Sequence, residues 1–251
     1  MDEVRLDRLT AQTVGEGDYD KAILPLGATE FHGPHLPYGS DTIAADVLGC
    51  AFARALGRTL VVPPLQFGVS HHHLAFAWTV SIRPETLSRV ICDVGESLFR
   101  HGIGKLLLVS AHDGNAPVAN TAARQLSQDH GLSVAVFAGW QRKAREALAG
   151  RYIIDLDHAG RSETSLVLYA APDVVRFDLA SSQPNERTDH PVDLVGSYAD
   201  IAPRGYAGDA AAATCAEGKA IVESLVAIVV PHLRLLDAHG WKGGPWLSGI
   251  S

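Results

Sequence analysis

Leu106-Leu107-Leu108-Val109 runs straight into Ser110-Ala111-His112-Asp113-Gly114-Asn115, and a helical stretch follows over residues 117–129. Four consecutive bulky apolar residues bounded by polar ones read as a strand buried on both faces. The turn that ends it carries chemistry rather than packing residues. Upstream, Pro84 opens an amphipathic helix, with Leu87, Val90, Ile91, Val94 and Leu98 at three- and four-residue steps along one face. Gly102 and Gly104 are its stop signals. Downstream, Val134-Ala135-Val136-Phe137 is a further strand.

The same rhythm holds earlier in the chain. Ala22-Ile23-Leu24-Pro25-Leu26-Gly27 reads as a buried strand, although Pro25 removes one ladder donor. An Ala- and Leu-rich helix over 42–56 follows, and then a short strand at Leu60-Val61-Val62, stopped by Pro63-Pro64. Strands alternating with helices predict an α/β fold whose sheet is parallel or mixed and covered on both faces. In such folds ligands bind beyond the carboxyl ends of the strands. Beyond Ser181 the pattern fades. Residues 181–213 are rich in Pro, Asp, Gly and Ser, and read as an irregular excursion, either a lid or an oligomer contact. A closing helix over 216–236 is expected to be kinked or broken near Pro231, and the tail after Gly240 to be ordered only by packing on a neighbour.

Composition narrows the function classes. The chain has 251 residues, 47% hydrophobic and 20% charged, which is globular and large enough to bury a core without staples. A net charge of -7 and the lack of any Lys or Arg run speak against nucleic acid as a partner. The three cysteines, Cys50, Cys92 and Cys215, are far apart and form no Cys-x-x-Cys pair, so they read as ordinary thiols of a reducing compartment. The apolar run over 221–230 is too short for a bilayer and the N-terminus lacks a signal-peptide pattern, so a soluble cytoplasmic protein is expected. Neither Gly-x-Gly-x-x-Gly nor Gly-x-Ser-x-Gly occurs as a nucleotide loop or nucleophile elbow.

The polar residues gather in three places. Gly27-Ala28-Thr29-Glu30-Phe31-His32-Gly33-Pro34-His35-Leu36-Pro37, with Asp41 just beyond, sets carboxylates and imidazoles in a loop stiffened by Gly and Pro. We expect Glu30 and His32 to serve metal ions on opposite sides of the chain, with Asp41 bridging them. A surface ion pair for Glu30 and His32, and a helix N-cap for Asp41, are the plainer readings. His112 lies at a strand tip where a helix begins, beside an Asn that would serve as a cap. Asp157-His158-Ala159-Gly160-Arg161-Ser162-Glu163-Thr164-Ser165 is the third place, where Glu163 would otherwise only favour a helix dipole. Of His71-His72-His73, one ring, His73 for preference, is expected to reach a substrate. His101, His130, His190, His232 and His239 read as surface histidines.

Taken together these stretches resemble the creatininase (creatinine amidohydrolase) family. The matching segments are 24–42, 69–82, 105–115 and 157–165, with a weaker match at Gly205-Tyr206-Ala207-Gly208-Asp209 and Glu217-Gly218, all in order. The resemblance implies one domain over residues 1–251, a three-layer α/β/α sandwich with a mostly parallel sheet. It also implies a homo-oligomer, often a hexamer, and two divalent ions, zinc first, with manganese or iron as alternatives. Family members open cyclic or linear amides, and one trims the mycofactocin precursor peptide. Carried onto this chain, Glu30, Asp41 and His112 would hold one ion, and His32 with the shared Asp41 the other.

Creatininase itself supplies a Glu where this chain has Gly114, so Glu163 becomes the candidate second carboxylate. His158 would deliver a proton to the leaving nitrogen, with Glu163 also in the catalytic set. Asp113, Asn115, His73 and Trp78 would contact a small-molecule amide substrate. Trp78 stands where the family often has Gly. Lactone or keto-sugar ring opening, peptide trimming, or a binding role without catalysis are the rival readings.

Overall fold

Alternation along the strands sorts the interior into two cores, and this is what builds the layers. The computed structural model describes residues 3–184 and 195–242. In chain order its regular elements are α1 (Ala11–Glu16), β1 (Lys21–Leu26), α2 (Ser40–Leu56), β2 (Thr59–Val61), α3 (Pro84–Arg100), β3 (Lys105–Ser110), α4 (Ala116–His130), β4 (Ser133–Phe137), α5 (Trp140–Ala147), α6 (Arg161–Ala170), β5 (Ser182–Gln183), β6 (Gly208–Asp209) and α7 (Cys215–Ala238). β1 to β4 form one all-parallel sheet in the order β2-β1-β3-β4. β1 pairs in register with β3 from Lys21↔Lys105 to Leu26↔Ser110.

Ile23, Leu107 and Val109 point into one core, where they meet α2, α5, α6 and α7 through Phe52, Trp140, Leu166 and Ile221. Their neighbours Ala22, Leu24, Leu26, Leu106 and Leu108 point the other way, onto Leu87 and Ile91 of α3 and Leu126 of α4. Side chains alternate across a strand, so an uninterrupted apolar run is what a sheet covered on both faces requires. Each fully buried Leu or Ile here contributes roughly 1.5–3 kcal/mol relative to exposure. The result is the expected three-layer α/β/α sandwich.

Pro25 is accommodated because its carbonyl faces the β2 side and accepts from the Leu65 amide, past the end of β2. Its missing N–H therefore falls outside the regular ladder with β2. The helix predicted from Pro84 runs to Arg100, and Gly102, at φ 89°, follows its end. α7 is not broken at Pro231 but continues to Ala238. The exposed Pro231 leaves the lost hydrogen bond to water, while Val230 and Leu233 hold the helix in the core. Part of the irregular excursion pairs as β5 with β6. Residues 185–194 of it, including His190, and the tail beyond residue 242 lie outside the described residues. No described helix is long and apolar enough to cross a membrane.

Candidate metal centre

The carboxyl ends of all four parallel strands feed one pocket. Past β1 come Glu30 and His32. Past β2 come His72 and His73, on a short 3-10 turn. His112 and Asp113 follow β3, and Gln141 follows β4. Strand order reverses between β1 and β3, which opens the crevice where α/β folds bind ligands. The first turn of α2 adds Asp41, the first turn of α6 adds Glu163, and the loop before α6 adds His158.

Of these groups Glu30, His32, Asp41, His73 and His112 are buried, with Glu30 and His32 each 1% exposed. His112 Nδ1 lies 3.5 Å from Glu30 Oε1 and 3.3 Å from Asp41 Oδ2. His32 Nε2 lies 3.4 Å from Asp41 Oδ1 and 3.8 Å from Glu163 Oε2. His158 Nδ1 and His73 Nε2 approach Glu30 Oε1 at 3.7 and 3.8 Å. Glu30 is thus the hub and Asp41 the link between His32 and His112.

Backbone carbonyls set the tautomers. His32 Nδ1 donates to the Glu30 carbonyl at 3.0 Å, His112 Nε2 to that of Val69 at 2.9 Å, and His158 Nε2 to that of Phe31 at 2.8 Å. The second nitrogen of each ring then faces the carboxylates, with a lone pair whenever the ring is neutral. A lone pair facing a carboxylate repels it unless a cation sits between them. Consistent with this, Glu30 Oε2, Asp41 Oδ2 and His32 Nε2 are buried without a hydrogen-bond partner. Leaving such groups unmatched costs ~1–3 kcal/mol each.

The donors suit divalent ions of borderline softness. Among the described residues three groups have ligand atoms mutually within 4.8 Å: Glu30–Asp41–His112, Glu30–His32–His158 and Glu30–His72–His73. The local electrostatics call for positive charge. Burial works against charging His112 and His32, yet for His112 the carboxylates of Glu30 and Asp41, and for His32 chiefly that of Asp41, outweigh it and raise each to about 10. Burial pushes the Glu163 carboxyl up. Burial, with the charges of His32 and His73, holds His158 well below its ordinary value and therefore neutral.

The structure brings together Glu30, His32, Asp41, His73, His112, Asp113, His158 and Glu163 in or around this pocket. Several readings need correction. Glu30 and His32 do not point to opposite sides of the chain. Both reach one group with His158, since residues two apart on extended chain share a face. Asp41 is not the cap of α2, whose N-cap is Gly39. Asn115 is no substrate ligand. Its Oδ1 accepts from the Val69 amide and its Nδ2 donates to the Gly27 carbonyl, both at 2.9 Å, and the residue is fully buried. Trp78 is 83% exposed, at φ 64°, and does not line the pocket. Two of the three consecutive histidines, His72 and His73, reach the pocket, because the 3-10 turn bends both rings inward while His71 stays exposed.

Gly114 has a steric reason. A Cβ there would collide with the Val69 carbonyl and lie 2.6 Å from His112 Nε2. The backbone therefore excludes a side chain where creatininase has its Glu.

Sequence reasoning missed Gln141, Leu156, Tyr198 and Ile201, which complete the wall. Gln141 Nε2 donates to Glu163 Oε1 at 3.1 Å. The Ala159 amide, on a left-handed backbone (φ 52°), donates to Glu163 Oε2 at 2.7 Å. His35 Nε2 lies 3.1 Å from the Ala159 carbonyl and 3.0 Å from Thr164 Oγ1, tying the Glu30 loop to the start of α6. The cavity so enclosed measures about 150 Å³.

A family model described as creatinine amidohydrolase matches residues 7–233. The chain belongs to the creatininase family. Among its relatives is the mycofactocin precursor peptide peptidase of Mycobacterium ulcerans, 33% identical over 89% of this chain and 86% of that protein. The creatinine amidohydrolase of Pseudomonas putida is 30% identical over 64% of this chain and 68% of its own length. Among solved structures, a mutant creatininase of the zinc–zinc type superposes with a TM-score of 0.80 at 26% identity, covering 93% of this chain and 98% of that one. A manganese creatininase gives 0.78 at 27% identity, with 93% and 98% covered. These relatives are hydrolases, and the family's members bind divalent metals, which the donor groups here match.

Proposed function

We propose that this chain hydrolyses a carbon–nitrogen amide bond with two divalent ions, zinc before manganese or iron. One would be held by Glu30, Asp41 and His112, the other by His32 and the shared Asp41, with Glu163 as the further carboxylate. The observation that carries this is the convergence of buried, unpartnered carboxylate and imidazole atoms whose other ring nitrogens are already fixed by backbone carbonyls. Bound there, divalent ions supply Lewis acidity and water of lowered pKa.

The protein's own groups do the rest. His158 is neutral, with its Nδ1 lone pair facing the pocket, so it accepts a proton at Nδ1 and returns it to the leaving nitrogen. Glu163, held by Gln141 and the Ala159 amide, keeps a fixed position beside His32. Asp113 at the rim and Tyr198 in the wall orient the substrate, and His73 borders it. The pocket takes a small amide, or the end of a peptide chain. The likeness to mycofactocin precursor peptide peptidases favours the peptide end as the second reading. A homo-oligomer working in the cytoplasm is part of the same proposal.

The test joins metal content to turnover. Protein dialysed free of loosely held metal should keep two divalent ions per chain by plasma mass spectrometry. It should also cleave members of a panel of cyclic amides, linear amides and short peptides. Asp41→Ala should lose both properties. Turnover that survives complete metal removal would refute the proposal.

A further inference from the structure

His72 and His73 are not needed by either ion of the proposed pair, yet both face the pocket. His73 is 2% exposed and its Nδ1 has no hydrogen-bond partner. Its Nε2 lies 3.8 Å from Glu30 Oε1. Two ligand bonds of ~2.1 Å to one ion span at most ~4.2 Å, so that separation fits an ion bridged at an obtuse angle. Ligand atoms of Glu30, His72 and His73 lie within 4.8 Å of one another.

The His72 ring lies parallel to that of His112, with centroids 5.8 Å apart and 9° between planes. That places it one layer further out than the Glu30–Asp41–His112 group. The His73 ring bridges the layers, 4.5 Å from His72 and 4.3 Å from His158. Glu30 can serve this group as well, because its Oε1, which faces both His112 and His73, carries two lone pairs and can bridge two ions.

We propose that His72 and His73, together with Glu30, form a further divalent-cation position on the outer side of the pocket. The proposal rests on the two-ion reading, because Glu30 is shared with that pair. Two imidazoles and one carboxylate select zinc, cobalt or nickel over magnesium or calcium. Three features make this position weaker than the inner two. It offers fewer carboxylates, it feels repulsion from nearby dications, and half-buried His72 leaves it open to solvent. It therefore fills only when zinc is in excess. Its occupant lies in the space a substrate enters, so excess zinc inhibits.

The experiment is a zinc titration of tag-free protein in equilibrium dialysis, with bound zinc counted by plasma mass spectrometry. The native chain should hold two ions tightly and take up a third at higher zinc. His72→Ala and His73→Ala should each keep two and lose the third. Circular dichroism checks the fold, and His72→Ala, at a half-buried position, keeps the test alive if His73→Ala unfolds. In crystals soaked with zinc, anomalous scattering should give a peak within bonding distance of both rings. Saturation at two ions, or a third ion that survives in His72→Ala, would overturn the outer position and leave the pair standing. No bound zinc at all would overturn both.

Discussion

Replacing Asn115 with Ala should weaken the whole molecule rather than the grip on a substrate. The Asn115 amide joins two loops that are distant in sequence, accepting from the Val69 amide and donating to the Gly27 carbonyl, each at 2.9 Å. Truncation leaves one donor and one acceptor without partners, at ~1–3 kcal/mol each, or ~2–6 kcal/mol together. Val69 is only half buried, so water relieves part of this, and about 3 kcal/mol is the expected loss. With a urea m-value of ~3 kcal/mol/M, the denaturation midpoint drops by ~1 M. The same Val69 presents the carbonyl that anchors His112, so the variant should also bind its inner metal less tightly. Urea titrations of metal-free and metal-loaded protein measure both effects. Had Asn115 been a substrate ligand, as its place in the strand-tip turn suggests, the midpoint would stay and KM would rise. A midpoint within ~0.2 M of the native chain refutes the reasoning.

Two further outcomes follow from positions outside that clamp. Gly114→Glu, which restores the residue of creatininase, should not restore its metal ligand. The new Cβ would collide with the Val69 carbonyl, so we expect lower metal content and a lower midpoint, checked by mass spectrometry and urea titration. At the opposite end of the sheet, Lys21 and Lys105 share Asp20 and Asp237 at 2.7–3.2 Å. Burial works to raise both carboxyls, but hydrogen bonds from the lysines, and from Trp241 to Asp237, outweigh it and hold them below the usual range. Depressed values mean stability that is present above the ordinary carboxylate pKa and lost as pH falls through the folded-state value. Asp20→Asn should therefore cost roughly 1 kcal/mol at pH 7, discounted for partial exposure, and nearly nothing at pH 2, by thermal melts at both.

What could be read from the sequence was what is written locally. The strands at 21–26 and 105–110 declared themselves by unbroken apolar runs, and α3 by its stripe and its proline. Glu30, His32 and His112 stood out because polar residues at strand ends have no packing reason to be there, and Asp41 because it lies just beyond the same loop. Asn115 was misread because its partners lie 46 and 88 residues away, and nothing adjacent announces them. Tyr198 comes from a segment with no periodicity, so no pattern could direct it to the pocket wall. Gln141 was within reach, since Trp140, Ala144 and Leu148 carry the four-residue step of a buried helix face. Trp78 was assigned a substrate because of what the family has there, whereas its left-handed backbone turns the ring to solvent.

The imidazoles of His32, His112 and His158 are each steered by a main-chain oxygen, those of Glu30, Val69 and Phe31. A carbonyl is the one acceptor that substitution cannot delete, because every amino acid carries it. The side chains at positions 31 and 69 can therefore be exchanged while the carbonyls that orient the rings stay in place. Side-chain braces would instead tie the orientation of the rings to the identity of their neighbours. Here the orientation of the rings and the identity of the neighbouring side chains are carried by different atoms of the same residues.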